Sequence, residues 1–204
     1  MSTETKKIEE TPQVETVPAD KVGTPGTVLM VAFSVLGPFS MHLIIPAIKP
    51  IQLDYGVGGG TASLLISATL WGIAAATLFY GILADRFGRR PMLLWGLVLF
   101  AAGSVLGMVG WSADAVIAGR VIQGIGGACG MVISRTVIRD RYPRDQGTSI
   151  LAYLTMAVMI APILAPAFAG FLVENYGWRM VFVIASVTGF AVLIWTAMRF
   201  PETT

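Results

Sequence analysis

GILADRFGRRPML, residues 81–93, places one acid and three arginines between two long uncharged runs. TASLLISATLWGIAAATLFY, residues 61–80, precedes it and LLWGLVLFAAGSVLGMVGW, residues 93–111, follows. A bilayer core takes roughly 20 apolar residues of helix, so the charged block reads as the turn between two membrane spans. Gly81 and Asp85 are four apart and share a helical face. Glycine there lets another helix come close, and Asp85 can then accept from that helix's free N-terminal amides. Gly88 suits a tight reversal. Arg86, Arg89 and Arg90 hold the turn on the inner side and can pair with Asp85 or lipid phosphate.

The rest of the chain agrees with lipid as its solvent. Of 204 residues, 55% are hydrophobic and 13% charged, with mean hydropathy +0.73, against about 25% charged in a soluble domain. The formal net charge is only +2, which says little about acidic partners, and nucleic acid is not expected among them. The single cysteine, Cys129, lies in an apolar run and excludes an intrachain disulfide framework. Residues 1–26 are polar, of mixed charge and rich in Thr, Glu and Pro, and read as a disordered tail. No signal peptide fits, because the first apolar segment follows a long charged prefix and is too long for an h-region.

Hydropathy predicts an all-α membrane protein with six spans, near 27–48, 61–84, 91–111, 114–136, 148–173 and 179–199. They form one bundle over 27–200, and 201–204 begin a linker. Lys6, Lys7, Lys21, Arg86, Arg89, Arg90, Arg135, Arg139, Arg141, Arg144 and Arg199 fall on one side, and only Lys49 and Arg179 on the other. The positive-inside rule therefore puts both termini in the cytoplasm of a cell-membrane protein. Trp95, Trp111, Trp178 and Trp195 fall near span ends, where indole rings favour the headgroup layer. Small residues recur at four-residue spacing in Ala68, Gly72 and Ala76, in Gly103 and Gly107, in Gly126 and Gly130, and in Ala161, Ala165 and Ala169. Such ridges allow close helix approach in lipid. GIGGACG, residues 124–130, has no lysine and sits within a span, so it is not a phosphate loop.

The order G-x-L-A-D-R-x-G-R-R-x-x-L resembles the signature loop between the second and third helices of the major facilitator superfamily. Gly81, Asp85, Arg86, Gly88, Arg89 and Arg90 match it. The resemblance implies that the aspartate caps a helix of the opposite half-bundle and helps lock one access state. RVIQGIGGA, residues 120–128, is similar to the family's fourth-helix motif, with Arg120, Gln123 and Gly124 in place. Arg120, Gln123, Gly124, Gly127 and Met131 share a helical face. An arginine at that depth must face the bundle interior or a wet cavity, whether it serves a ligand or bonds a neighbouring helix's carbonyls.

MAVMIAPILAPAFAGFL, residues 156–172, holds Pro162 and Pro166 one turn apart. With Ala161 and Gly170 they resemble the antiporter motif, in the form used by the bicyclomycin-resistance (Bcr/CflA) subfamily of drug:proton antiporters. IRDRYP at 138–143 and PET at 201–203 resemble the same subfamily. Proline frees carbonyls there and is expected to bend the helix. PFSMHLIIPAI, residues 38–48, is similar to a segment that carries an aspartate where this chain has His42. By helical rise, His42 and Arg120 lie at similar depth, roughly 9–10 Å from the outer ends of their helices. Three roles stay open for His42: carrying a coupled proton, hydrogen-bonding substrate while neutral, or being satisfied by a neighbouring helix. No acid lies in a span interior, so proton coupling rests on the resemblance.

The resemblance covers about 28–203 and implies the N-terminal six-helix half of a twelve-helix fold around a central cavity. A C-terminal half or a second six-helix chain is then the expected partner, with a small molecule as substrate and the bilayer around them. The function implied is proton-coupled efflux of a drug-like or amphipathic compound by alternating access, driven by the proton gradient with no cofactor and no metal. Arg120, Gln123 and His42 are expected on the cavity, with Tyr153 and Met156 as softer candidates. The alternative is a non-transporting half-bundle that binds or assembles with other membrane proteins. One histidine, one cysteine and no clustered carboxylates argue against an enzyme.

Overall fold

A computed structural model describes residues 24–199. The tail assigned to 1–26 lies outside these except for its last three residues, which open the first helix. The linker assigned to 201–204 and the lysines at 6, 7 and 21 lie outside entirely. Helices α1 (Thr24–Leu43), α2 (Ile48–Tyr55), α3 (Gly59–Phe87), α4 (Arg89–Val109), α5 (Ala113–Arg141), α6 (Arg144–Tyr176) and α7 (Arg179–Arg199) follow in order. A 3-10 turn over Ile45–Ala47 joins α1 to α2, so the two make one membrane-length stretch, and six stretches are long and apolar enough to cross a bilayer.

Pro46 explains the break in that first stretch. It has no N–H to give the carbonyl of His42, and its ring crowds the preceding turn. The α-helix therefore ends at Leu43 and restarts at Ile48. Elsewhere the connections are very short. Gly88 alone separates α3 from α4, at φ +88°, a conformation that a side chain resists. Ser112 caps α5, its hydroxyl accepting from the amide of Ala115 at 3.2 Å.

Helix α5 is the axis of the bundle, and the glycines of 119–130 explain how three helices reach it. A Cβ on Gly103 of α4 would lie 2.6 Å from the carbonyl of Gly119. One on Gly124 would lie 2.5 Å from the carbonyl of Thr69 on α3, and one on Gly37 of α1 would lie 3.0 Å from that of Gly127. GIGGACG thus turns successive glycines toward different neighbours, because each residue advances 100° around the helix. Helices meet backbone to backbone here, where packing replaces the hydrophobic effect.

The remaining small residues do the same work further out. Ala161, Ala165 and Ala169 of α6 are buried, and Gly107 of α4 faces the ring of Phe182 on α7. Two apolar cores result. One gathers Phe33, Leu97, Phe100 and Ile133, and the other gathers Leu43, Ile51, Val116 and Phe182. Large apolar side chains of α3 and α6 stay outside both, among them Trp71, Leu78 and Ile82 of α3 and Met159, Ile163 and Phe171 of α6.

Candidate functional site

Arg120 is 1% exposed, and its guanidinium ties two other helices, α1 and α3, to α5, with α4 joined through Gln123. Nε donates to the carbonyl of Leu65 on α3 at 3.4 Å. Nη1 donates to the carbonyl of Ser40 on α1 at 3.2 Å, to its hydroxyl at 3.3 Å, and to Oε1 of Gln123. Gln123 then donates from Nε2 to the hydroxyl of Ser104 on α4 at 2.7 Å, and Ser104 donates to the carbonyl of Phe100 at 2.8 Å. Ser40 lies in the last turn of α1, ahead of the break at Pro46, and its carbonyl and hydroxyl both accept from Arg120 there.

The guanidinium has no carboxylate beside it among the described residues, and its Nη2 is buried without a hydrogen-bond partner there. A buried charge is tolerated only when dipoles or a counter-ion replace water. Here carbonyls, a hydroxyl and an amide fill that place. Gln123 is 1% exposed, and Gly124 packs on Thr69. His42 is half-buried in the last turn of α1 and makes no hydrogen bond among the described residues. The depth argument that would bring His42 to Arg120 is answered two residues earlier, by Ser40.

A second group sits at the arginine-rich end. Arg89 and Arg90 lie in the first turn of α4 and not in a loop, because one glycine completes the reversal. Cations oppose the helix dipole at that end. Arg89 pairs with Asp140 near the end of α5, and Arg90 donates from Nη2 to the carbonyl of Ala197 in the last turn of α7 at 3.3 Å. Both partners sit at the dipole-negative ends of their helices, which offsets the misplacement. Arg86 is exposed, 5.6 Å above the ring of Phe87. Asp85 is exposed and makes no hydrogen bond or ion pair among the described residues. Gly81 has nothing within 4 Å of a Cβ built on it.

Helix α6 runs unbroken through both of its prolines. Its alanines 161, 165 and 169 face the bundle, whereas Pro162 is exposed and Gly170 has open space around it. Tyr153 and Met156 are exposed on the same helix.

The opposite end of the bundle holds a cluster that hydropathy did not single out. The Trp178 indole donates to Asp54 Oδ2 at 2.6 Å, and Arg179 lies 3.6 Å from the same oxygen. Arg179 also stacks 4.3 Å over the Trp178 ring and donates to the Tyr55 hydroxyl at 3.3 Å, while Tyr55 donates to the carbonyl of Gly110. Trp178 is therefore buried at 4% exposure and not a headgroup anchor, unlike Trp111 at 74%. The only sequence signal for this cluster was a Trp-Arg pair beside a glycine turn.

Comparison with known proteins agrees with the geometry. A family model described as Major Facilitator Superfamily matches residues 28–204. The chain is 31% identical over 175 residues to Multidrug resistance protein D of Escherichia coli, covering 86% of this chain and 44% of that protein. It is 29% identical over 170 residues to a bicyclomycin resistance protein homolog of Haemophilus influenzae, covering 83% and 43%. The chain thus spans less than half the length of these relatives. Two solved structures share the fold at 19% identity. One is a bacterial homolog of the human lysosomal transporter Spinster, inward-facing and unoccupied (TM-score 0.78; 87% of this chain, 43% of that one). The other is a D-xylose-proton symporter (TM-score 0.73; 87% and 48%). With its six membrane-length helices, its signature turn at 81–93 and relatives among the Bcr/CflA-type drug efflux proteins, this chain belongs to the major facilitator superfamily, a family of membrane transport proteins and not of enzymes.

Proposed function

We propose that this chain is one six-helix half of a secondary active transporter that exports a small drug-like or amphipathic compound in exchange for protons, by alternating access. The observation that carries the reading is the contrast between two glycines of α3. Gly72 is pressed against α5, with 2.5 Å from a built Cβ to the carbonyl of Val121, whereas Gly81 faces open space beside exposed Asp85. A helix of another half-bundle fits there: the glycine admits it, and the carboxylate caps its N-terminal amides. Helices α3 and α6 also carry large exposed apolar side chains, which suit burial against a second half-bundle.

The names of the relatives, multidrug and bicyclomycin resistance, support efflux of a drug-like solute. The arginine turn, with Arg89 on Asp140 and Arg90 on Ala197, lies at one end with the start of α1, where Ser134 donates to the carbonyl of Met30 at 3.2 Å. That end is the cytoplasmic one, and both termini lie there. Arg120 and Gln123 are buried inside this half and brace it as the halves rock, in place of the expected position on the cavity, and His42, Pro162, Pro166 and Gly170 line the moving surface.

Transport by the complete protein tests this. Proteoliposomes loaded with a fluorescent amphipathic dye should extrude it when an inward-directed proton gradient is imposed. Asp85→Asn should slow extrusion at least about tenfold, the scale of losing one charge-assisted hydrogen bond. Dye movement that ignores the gradient would remove proton coupling. Unchanged kinetics in Asp85→Asn would reduce the 81–93 turn to a topology signal.

A further inference from the structure

A furrow of about 610 Å³ lies between the last turns of α3 and the first turns of α4. The two helices pack chiefly on α5 and little on one another, so a gap stays between them, with Ile125 of α5 lining it. Phe79 walls it on one side and Met92, Trp95 and Leu99 on the other, and it opens outward, with Phe79 and Trp95 more than half exposed. No charged side chain lines it among the described residues. Tyr80 puts a buried polar group into this apolar wall. It is 5% exposed and makes no hydrogen bond among the described residues. Its hydroxyl is not sealed within the bundle, as the orphaned atoms of Arg120 and Ser186 are, and so meets the furrow.

We propose that this furrow binds a neutral, ring-bearing molecule of drug size, held by a hydrogen bond from the Tyr80 hydroxyl to a carbonyl or ether oxygen of the ligand. A hydroxyl in apolar surroundings is costly without a partner. Water does not supply one at this depth. Tyr80 lies eight residues before Gly88, about 12 Å along the helix at 1.5 Å each, which is beyond the headgroup layer of roughly 5–8 Å on each side of the hydrocarbon. An acyl chain of the bilayer reaches the furrow but presents only methylene groups there, so the hydroxyl stays unpaired. The carbonyls of a transmembrane helix are engaged within that helix. A small molecule can bring ring surface and a free acceptor together. The aromatic walls Phe79 and Trp95 favour flat rings, and the uncharged lining favours a neutral ligand. The volume falls in the range of about 300–1,000 Å³ typical of small-ligand sites. Gly81 and Asp85 do not line the furrow, so the site stands apart from the efflux reading, and binding is read without transport.

Photolabelling of the full-length protein in phosphatidylcholine nanodiscs tests the site. Benzophenone carries two rings and one carbonyl and inserts into nearby C–H bonds on irradiation, and Met92 stands in the furrow as its target. Peptide mass spectrometry should place adducts on Met92. Phenyl benzoate, which has an acceptor oxygen, should suppress them at about fivefold lower membrane concentration than diphenylmethane, which has none, the ratio expected of one hydrogen bond. Tyr80→Phe keeps the ring and should lower labelling about fivefold, with the melting temperature of the unliganded protein unchanged, because the hydroxyl has no protein partner to lose. Ala75→Phe fills the furrow and should lower labelling further. Equal suppression by the two competitors overturns the proposal, and is the result expected if acyl chains alone fill the furrow. Adducts elsewhere on the protein with none on Met92 overturn it too, as expected if a helix of a second half-bundle lies there. A lower melting temperature in Tyr80→Phe would mean that the whole protein already partners the hydroxyl, and overturns it as well. The competitor comparison uses the unmodified protein, so a variant that fails to fold leaves the test standing.

Discussion

At the scale of single residues, Arg120 shows how a membrane interior accommodates a charge with no carboxylate beside it. Its donors reach two backbone carbonyls, one hydroxyl and one amide, and Gln123 passes the network on to Ser104. The members are not equivalent. Gln123→Leu removes an acceptor from Arg120 and a donor from Ser104, both buried, and should destabilise the protein by about 1–3 kcal/mol. Ser40→Ala removes a hydroxyl but leaves the carbonyl to which the same Nη1 donates, so its cost should stay below about 1 kcal/mol. Thermal unfolding in detergent, followed by tryptophan fluorescence, checks the order. A larger loss from Ser40→Ala would mean that the hydroxyl, and not the helix-end carbonyl, holds the guanidinium.

At the scale of elements, the glycines divide by what they touch. Gly103 meets the carbonyl of Gly119, whereas Gly81 meets nothing within the bundle. Gly103→Ala should force α4 away from α5 and cost about 1–3 kcal/mol, the range for overpacking a tight contact. Gly81→Ala should leave stability within about 0.5 kcal/mol, as a surface change does, while slowing transport by the complete protein. Measuring both variants for melting temperature and dye extrusion separates a packing glycine from a docking one. If Gly81→Ala destabilises as much as Gly103→Ala, the face it shares with Asp85 belongs to this bundle and not to a partner.

At the scale of the whole molecule, the two ends are tied by different chemistry. The arginine-rich end joins α4 to α5 and α7 through Arg89 and Arg90. The other end joins α2 to α4 and α7 through Asp54, Tyr55, Trp178 and Arg179. Such ties suit a half-bundle that moves as a rigid body. Asp54→Ala takes the acceptor from the Trp178 indole and should cost about 1–2 kcal/mol. It should also raise proteolytic cutting at the 56–58 turn, which limited digestion would read. Unchanged cutting would mean that apolar packing of Trp178 on Phe182 already holds that end.

Several features were legible before any tertiary structure because local rules decide them. Six apolar stretches must become helices in lipid, since no other open segment satisfies its own backbone there. Gly88 must turn, whereas the break at Pro46 was not read, since hydropathy ran the first span straight through it and Pro162 and Pro166 leave α6 unbroken. Arg120 must face inward for the same reason that lipid rejects a charge. What only the fold decided were the partners. Ser40 accepts from Arg120 because a helix end 80 residues away in sequence comes to lie beside it. Trp178 left the headgroup layer for Asp54, 124 residues away. Arg89 and Arg90, which spacing read as loop residues, became the first turn of a helix and drew partners from α5 and α7. Hydropathy and spacing report the solvent and the backbone, which act on each residue locally. Hydrogen-bond partners in a bundle are set by which helices touch, and that depends on where every small residue lets two backbones meet.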